Sequence, residues 1–187
     1  MSQFLDMNGL AHYNGIIQPP LADIIDSGAK NIIEVADAIC EKNGVTATLN
    51  SDGSIVLSGQ AEGASSNFLI CNDLKTGSQS ASYSSLIPIK SGIYIVSGVL
   101  DSRVSLQVLN YNSSSDVDIF DSNEFTATKQ YIDFRLIVRR TADFSTPLTI
   151  YPMCCTKAAW NISQAYVPYG NGSITDAQID SLWSTNA

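Results

Sequence analysis

Through the middle of this chain apolar and polar residues take turns. Val45, Ala47 and Leu49 alternate with Thr46, Thr48 and Asn50, Asp52-Gly53 supplies a turn, and residues 55–58 return as a second apolar run. A period of two with a Gly-containing turn is the pattern of a β-hairpin half-buried on one face. The same signal recurs. Residues 68–71 and 93–99 are short apolar runs, and Val104, Leu106 and Val108 alternate with Ser105 and Gln107. Val117 and Ile119 alternate with Asp116 and Asp118. Ile132, Phe134, Leu136 and Val138 face one way, while Asp133, Arg135 and Arg139 face the other. Residues 148–154 form the last strong run. This predicts eight or nine strands over 31–170, with Ser, Gly, Asn and Asp in the turns between them. No long helical pattern separates the strands, so parallel βαβ units are excluded. The predicted fold is all-β, an antiparallel β-sandwich of jelly-roll type.

The two ends read differently. Leu10, Tyr13, Ile17, Leu21 and Ile24 recur at spacings of three and four, an apolar stripe of helical period. Asp6 is placed as an N-cap, and Pro19-Pro20 divides the stripe into two short helices within residues 1–30. In the tail, residues 171–187, Thr175 and Gln178 form a capping box, with Ile174 and Ile179 as its hydrophobic staple. This predicts a helix over 176–184 carrying Leu182 and Trp183 on one face. Isolated helices this short are marginal in water, so both ends are expected to dock, on the sandwich or on other copies of the chain.

Length and charge narrow the function classes. The chain has 187 residues, enough to bury a core without metals or disulfides. Its net charge of −8, with scattered Lys and Arg, argues against nucleic acid and anionic membrane surfaces as partners. No apolar run reaches the roughly 20 residues of a membrane span, and the N-terminus lacks the pattern of a secretion signal. The four cysteines, Cys40, Cys71, Cys154 and Cys155, match no zinc spacing and read as small buried hydrophobes. Adjacent strand residues point to opposite faces, so Cys154 and Cys155 do not share one site.

Candidate chemistry is sparse. The single histidine, His12, lies far in sequence from any nucleophile, and reads as a surface or interface side chain. Phosphate-loop and dinucleotide fingerprints are missing, and no cofactor is expected. Asp101, Asp116, Asp118, Asp121, Glu124 and Asp133 are the carboxylates a glycosidase could draw on. The densest group, Asp116, Asp118, Asp121 and Glu124, could alternatively hold calcium, although its spacing is not that of an EF-hand loop. The plainer reading of that group is a solvated strand and turn. Tyr83, Tyr111, Tyr131, Tyr166 and Tyr169 lie in loops or at strand ends, where a ring serves either packing or sugar stacking. Trp160 is either core or rim. The Asn-x-Ser sequons at Asn112, Asn161 and Asn171 carry no meaning without secretion.

Two stretches carry a resemblance. The opening, "FLDMNGLAHYNGII", resembles the start of many tail and fibre proteins of bacteriophages of Gram-positive or gut hosts. The body then runs "GAKNII", "GVTATLNSDGSIVLSGQA", "IKSGIYIVSG", "LTIYPMCCTKAA" and "AYVPYG". That order and spacing, through residues 28–170, are similar to a recurrent phage module, a jelly roll like a carbohydrate-binding module attached to structural proteins. Cys154-Cys155 departs from the module's usual apolar-charged pair, and the short N-terminal segment favours a compact knob or decoration over a long shaft. The resemblance implies a virion protein made in the host cytoplasm, a homotrimer, with other virion proteins and host-surface polysaccharide as partners. Phe4, Leu5, Leu10, Tyr13, Ile17, Leu21 and Ile24 are the expected attachment and oligomerisation residues. Tyr83, Tyr111, Asn112, Asp121 and Asn123 are the expected glycan contacts, within recognition loops at 78–85, 110–114 and 121–124. Two other classes stand beside this reading: a purely structural head fibre, decoration or tail adaptor, and a glycan-degrading enzyme.

Overall fold

The computed structural model describes residues 4–5, 11–13, 16–17, 31–80, 83, 86–99, 101–162, 164–167 and 169. Among the described residues the elements are strands with one short helix, and every strand pair there is antiparallel.

At the N-terminus, β1 (Phe4–Leu5), β2 (Ala11–Tyr13) and β3 (Ile16–Ile17) form a three-stranded sheet with β2 at its centre. This corrects the helical expectation for Tyr13 and Ile17. Tyr13 pairs with Ile16 across two residues, and those two are Asn14-Gly15, the dipeptide best suited to a two-residue hairpin. The turn chemistry outweighs the helical spacing. Leu10, Leu21, Ile24 and the predicted helix over 176–184 lie outside the described residues.

The opening hairpin forms as predicted, with one more strand before it. β4 (Ala38–Lys42), β5 (Val45–Leu49) and β6 (Ile55–Gln60) run side by side, and β14 (Asp143–Ile150) completes a four-stranded sheet in the order β14-β6-β5-β4. Asn43 and Gly44 join β4 to β5 with φ of 49° and 77°. Positive φ at both central residues is what a type I′ hairpin needs. Along β5, Val45, Ala47 and Leu49 are buried while Thr46 and Thr48 are half-buried, so the alternation read from the sequence is the alternation in space.

β7 (Phe68–Cys71), β8 (Ile87–Pro88), β10 (Val104–Ser113), β11 (Asp116–Phe120) and β13 (Tyr131–Val138) form the five-stranded sheet, in the order β11-β10-β13-β7 with β8 also paired to β13. A third sheet runs β12 (Glu124–Ala127), β9 (Gly92–Ser97), β15 (Met153–Thr156). The predicted run over 148–154 is therefore split. Pro152, which has no N–H to give a ladder, stands between β14 and β15.

The three larger sheets share one core. Ile55 and Leu57 from the first, Leu106, Val108, Ile132, Phe134 and Leu136 from the second, and Tyr94, Val96 and Cys154 from the third are all buried in it. This is an antiparallel β-sandwich. Buried Asn31 ties the segment before β4 to β15: Nδ2 donates to the Pro152 carbonyl at 3.1 Å, and Oδ1 accepts from Cys154 N at 3.1 Å. A second, small cluster sits on the other face of β15. Met153, Cys155 and Ala159 pack there with Trp160 and Tyr166, under α1 (Lys157–Ile162). Cys154 and Cys155 thus face opposite ways, and all four cysteines are buried.

Candidate functional site

The side of the five-stranded sheet away from the core carries the unusual chemistry. Along β13, Ile132, Phe134, Leu136 and Val138 enter the core, so Tyr131, Asp133, Arg135 and Ile137 project the other way. On β10, Leu109 and Tyr111 share that outer face, cross-strand from Asp133 and Tyr131, and Gln107 sits opposite Arg135. β11 adds Val117 beside Tyr111 and Ile119 beside Leu109. An outer sheet face is normally wet. Here Leu109, Tyr111, Asp133 and Arg135 are all buried, outside the main core.

Part of the cover is visible. Tyr83 meets Tyr111 edge-on, ring centroids 5.4 Å apart, and Tyr111 in turn lies 5.8 Å from Tyr131. The backbone N–H of Leu86 donates to the Tyr111 hydroxyl at 3.3 Å. The Arg135 guanidinium lies 5.9 Å from the Tyr83 ring centroid, within cation–π range. Arg135 is 8% exposed, yet its Nε has no hydrogen-bond partner among the described residues, and no ion pair among them includes it. Asp133, two positions back on the same strand, accepts the Phe134 N–H at 2.8 Å. At about 3.4 Å per residue its backbone stands about 7 Å from that of Arg135. On the other side, Gln107 Nε2 donates to Asp121 Oδ1 at 3.0 Å. The face is therefore dry at the Tyr111 end and open at the Gln107 end, with Arg135 at the boundary. Gln107 is half-buried, Ser105 exposed, and Ile119 54% exposed.

The expected glycan contacts divide across this face. Tyr83, half-buried, and Asp121, exposed, border it. Tyr111 is 1% exposed and serves as packing under Tyr83, not as a free stacking platform. Asn112 clips the β10–β11 hairpin: its Nδ2 donates to Asp116 Oδ2 at 2.7 Å, and its Oδ1 accepts from Gln130 N at 3.1 Å. Asn112, on β10, and Asp121, just past the end of β11 and level with Gln107, lie about 17 Å apart along the strands, so they do not form one site. Asn123, exposed, uses its backbone carbonyl to accept the Val96 N–H at 2.7 Å. Of the attachment residues, Phe4, Leu5, Tyr13 and Ile17 are described only as backbone in the N-terminal sheet.

The carboxylates considered for calcium are dispersed and occupied. Asp116 and Asp118 both hold the Lys129 ammonium, at 2.6 and 3.0 Å. Asp121 takes Gln107, and Glu124 pairs with Lys157 at 3.0 Å. Among the described residues no three potential ligands gather around one point. The Lys129 hydrogen bond, helped by Asn112, holds the Asp116 carboxyl below its ordinary range. A glycosidase acid needs the opposite shift. The Lys129 amine is raised by the same hydrogen bond to Asp116.

No protein family, curated protein or solved structure matches this chain. The reading of the site therefore rests on its residues. Arg135, Gln107 and Ile119 were not among the expected contacts. Strand parity put Arg135 on the outer face, but parity says nothing of whether that face is covered.

Proposed function

We propose that this chain is a bacteriophage virion protein of fibre or receptor-binding type, a homotrimer whose sandwich adheres to host-surface glycans. The virion setting rests on the order of the sequence segments over residues 4–170. The adhesion rests on one observation: a rigid sheet face where aromatic rings, a buried guanidinium without an acceptor, and polar Gln107 and Asp121 come together. Sugars present hydroxyls and weakly apolar ring faces together, and that mixture is what such a surface complements. Weak single-site affinity is compatible with function because three linked copies bind with avidity.

A purely structural role is favoured by a different feature. β4 is an edge strand, and Ile39 on it is 65% exposed. An apolar side chain on an unpaired edge suits another virion protein better than a sugar. A glycan array probed with the full-length purified protein separates the two. Binding to host polysaccharide supports adhesion, and a blank array removes it. Sedimentation as a single chain removes the trimer.

A further inference from the structure

We propose that the Arg135 end of the outer sheet face is a subsite for an uncharged pyranose, bound by its hydroxyls rather than through a carboxylate. This rests on the adhesion reading above and narrows it to a ligand class.

A guanidinium carries five N–H donors and is always charged. Buried polar groups are nearly always hydrogen-bonded, and an exception calls for an explanation. Arg135 is more than nine-tenths buried, has no acceptor at Nε, and joins no ion pair among the described residues. Tyr83 gives it a cation–π contact, which satisfies none of its N–H groups. Nε is sealed from the outside, so the donors available to an acceptor from outside the chain are the terminal N–H groups, which no hydrogen bond among the described residues occupies.

The charges around Arg135 select among acceptors. Asp133 stands two residues away on the same face, and Asp121 reaches the face through Gln107, the cross-strand partner of Arg135. Asp121 is exposed, and Arg139, the next cation on this face, stands four residues from Arg135, about 14 Å along the strand direction, with its Nε on the Ser102 carbonyl. The whole chain carries −8. A uronate or sialate carboxylate would gain Arg135 but face the exposed Asp121 carboxylate and the field of the protein. A hydroxyl escapes this conflict. Its oxygen accepts from Arg135, and its proton is available to an acceptor such as Asp121, whose carboxylate has lone pairs beyond the one Gln107 uses. The open side of the boundary lies toward Gln107, Asp121 and Ile119, and Ile119 offers an exposed apolar surface for a ring face.

The chain has four arginines, Arg103, Arg135, Arg139 and Arg140, so the Nε–Hε correlation of Arg135 is assignable by NMR with Arg135→Met as reference. Glucose, galactose, mannose and N-acetylglucosamine are titrated into the full-length protein, with glucuronate and galacturonate at matched ionic strength. The neutral sugars should move the Arg135 signal saturably, and the uronates should bind about tenfold more weakly or worse, because like charges meet. Arg135→Met, checked for native circular dichroism, should lose the response, and Arg135→Lys should recover little of it. Uronates binding as well as or better than neutral sugars would overturn the charge argument and make this an anion site. If no sugar moves the signal while the glycan array is positive for wild type and Arg135→Met alike, adhesion stands elsewhere and the subsite is wrong. Silence in both experiments removes both.

Discussion

Asn110 is the residue whose removal tests the account of the five-stranded sheet most directly. It stands on β10 in the core-facing register of Val104, Leu106 and Val108, and it is fully buried. A polar side chain in that position is tolerable only if all its groups are satisfied. They are. Nδ2 donates to the carbonyls of Lys129 and Tyr131 at 3.1 and 2.9 Å, and Oδ1 accepts the N–H groups of Thr128 and Lys129, both at 2.9 Å. One side chain thereby clamps the turn between β12 and β13 against β10. Asn110→Ala strands two donors and two acceptors of the backbone at once. At about 1 kcal/mol for each lost bond, the cost is about 4 kcal/mol, with more if water fails to enter. In a chain of this size that lowers Tm by about 10 °C. Urea denaturation followed by fluorescence gives the number, and an unchanged slope would show that only stability has moved. Asn110→Asp keeps the acceptors, loses both donors and buries a carboxyl, whose pKa rises. Below about pH 4 its penalty should be no more than about 2 kcal/mol, for the two lost bonds, and it should grow as pH rises toward the elevated folded-state value. A cost under about 1 kcal/mol for Asn110→Ala would refute the clamp.

Three further outcomes follow from the same geometry. Arg135→Met keeps the apolar stem and removes an unsatisfied buried charge; the relieved desolvation, about 1–3 kcal/mol, exceeds the lost cation–π contact of about 0.5–1 kcal/mol, so Tm should rise by a few degrees, and a fall would mean Arg135 is a structural member. The Asp101 carboxyl is held below its ordinary range by the Arg103 side chain, which binds it at 2.9 and 2.7 Å, and by the Arg103 N–H, so its contribution is complete above about pH 4 and is lost as pH falls through the folded-state value; Tm measured from pH 7 to pH 3 should drop, and Asp101→Asn should lessen that drop. All four thiols are buried, so Ellman's reagent should label none quickly in the native protein and four after unfolding in guanidinium, whereas fast labelling of any one would contradict its burial.

The strands most legible in the sequence are those with one dry and one wet face. β5 alternates because Val45, Ala47 and Leu49 meet the core and the threonines do not. β4 carries no such alternation, because only Cys40 of its five residues is buried, while Ile39 faces outward beside Glu41 and Lys42. The available signal was the Asn43-Gly44 turn that follows, and Asn14-Gly15 was the same signal at the N-terminus. β14 was shortened for another reason. Pro147 interrupts its pattern, yet the strand lies at the edge of its sheet, and the register shifts between Phe144 and Leu148, where a missing N–H costs little. β12 is four residues long with two buried, too short for a period to register. The site was less legible than the fold. Alternation on β13 correctly sent Asp133 and Arg135 away from the core. That both are nonetheless buried was not legible there; Arg135 lies against the ring of Tyr83, about fifty residues earlier in the chain.

A sheet covered over part of both faces creates a gradient that an ordinary sandwich lacks. Near Tyr111 the outer face is dry, and its polar groups are supplied by the chain, as with Leu86 N and the Tyr111 hydroxyl. Near Ser105 it is wet, and water supplies them. Arg135 falls between, too buried to be well hydrated and without a protein acceptor at Nε. Such a position costs stability, and it persists only if something else rewards it. The surrounding structure is stiff enough to hold it there. Lys129, 14% exposed, is pinned by two aspartates at the hairpin end, Asn112 clips the same hairpin, and Asn110 ties the adjoining turn from beneath. Rigid support around an unsatisfied donor lowers the ordering cost of binding, which is how a shallow surface retains useful affinity for a small polar ring. A structural role for Arg135 and a binding role therefore diverge in sign: loss of the guanidinium weakens the protein in the first case, and in the second strengthens it while abolishing the sugar response.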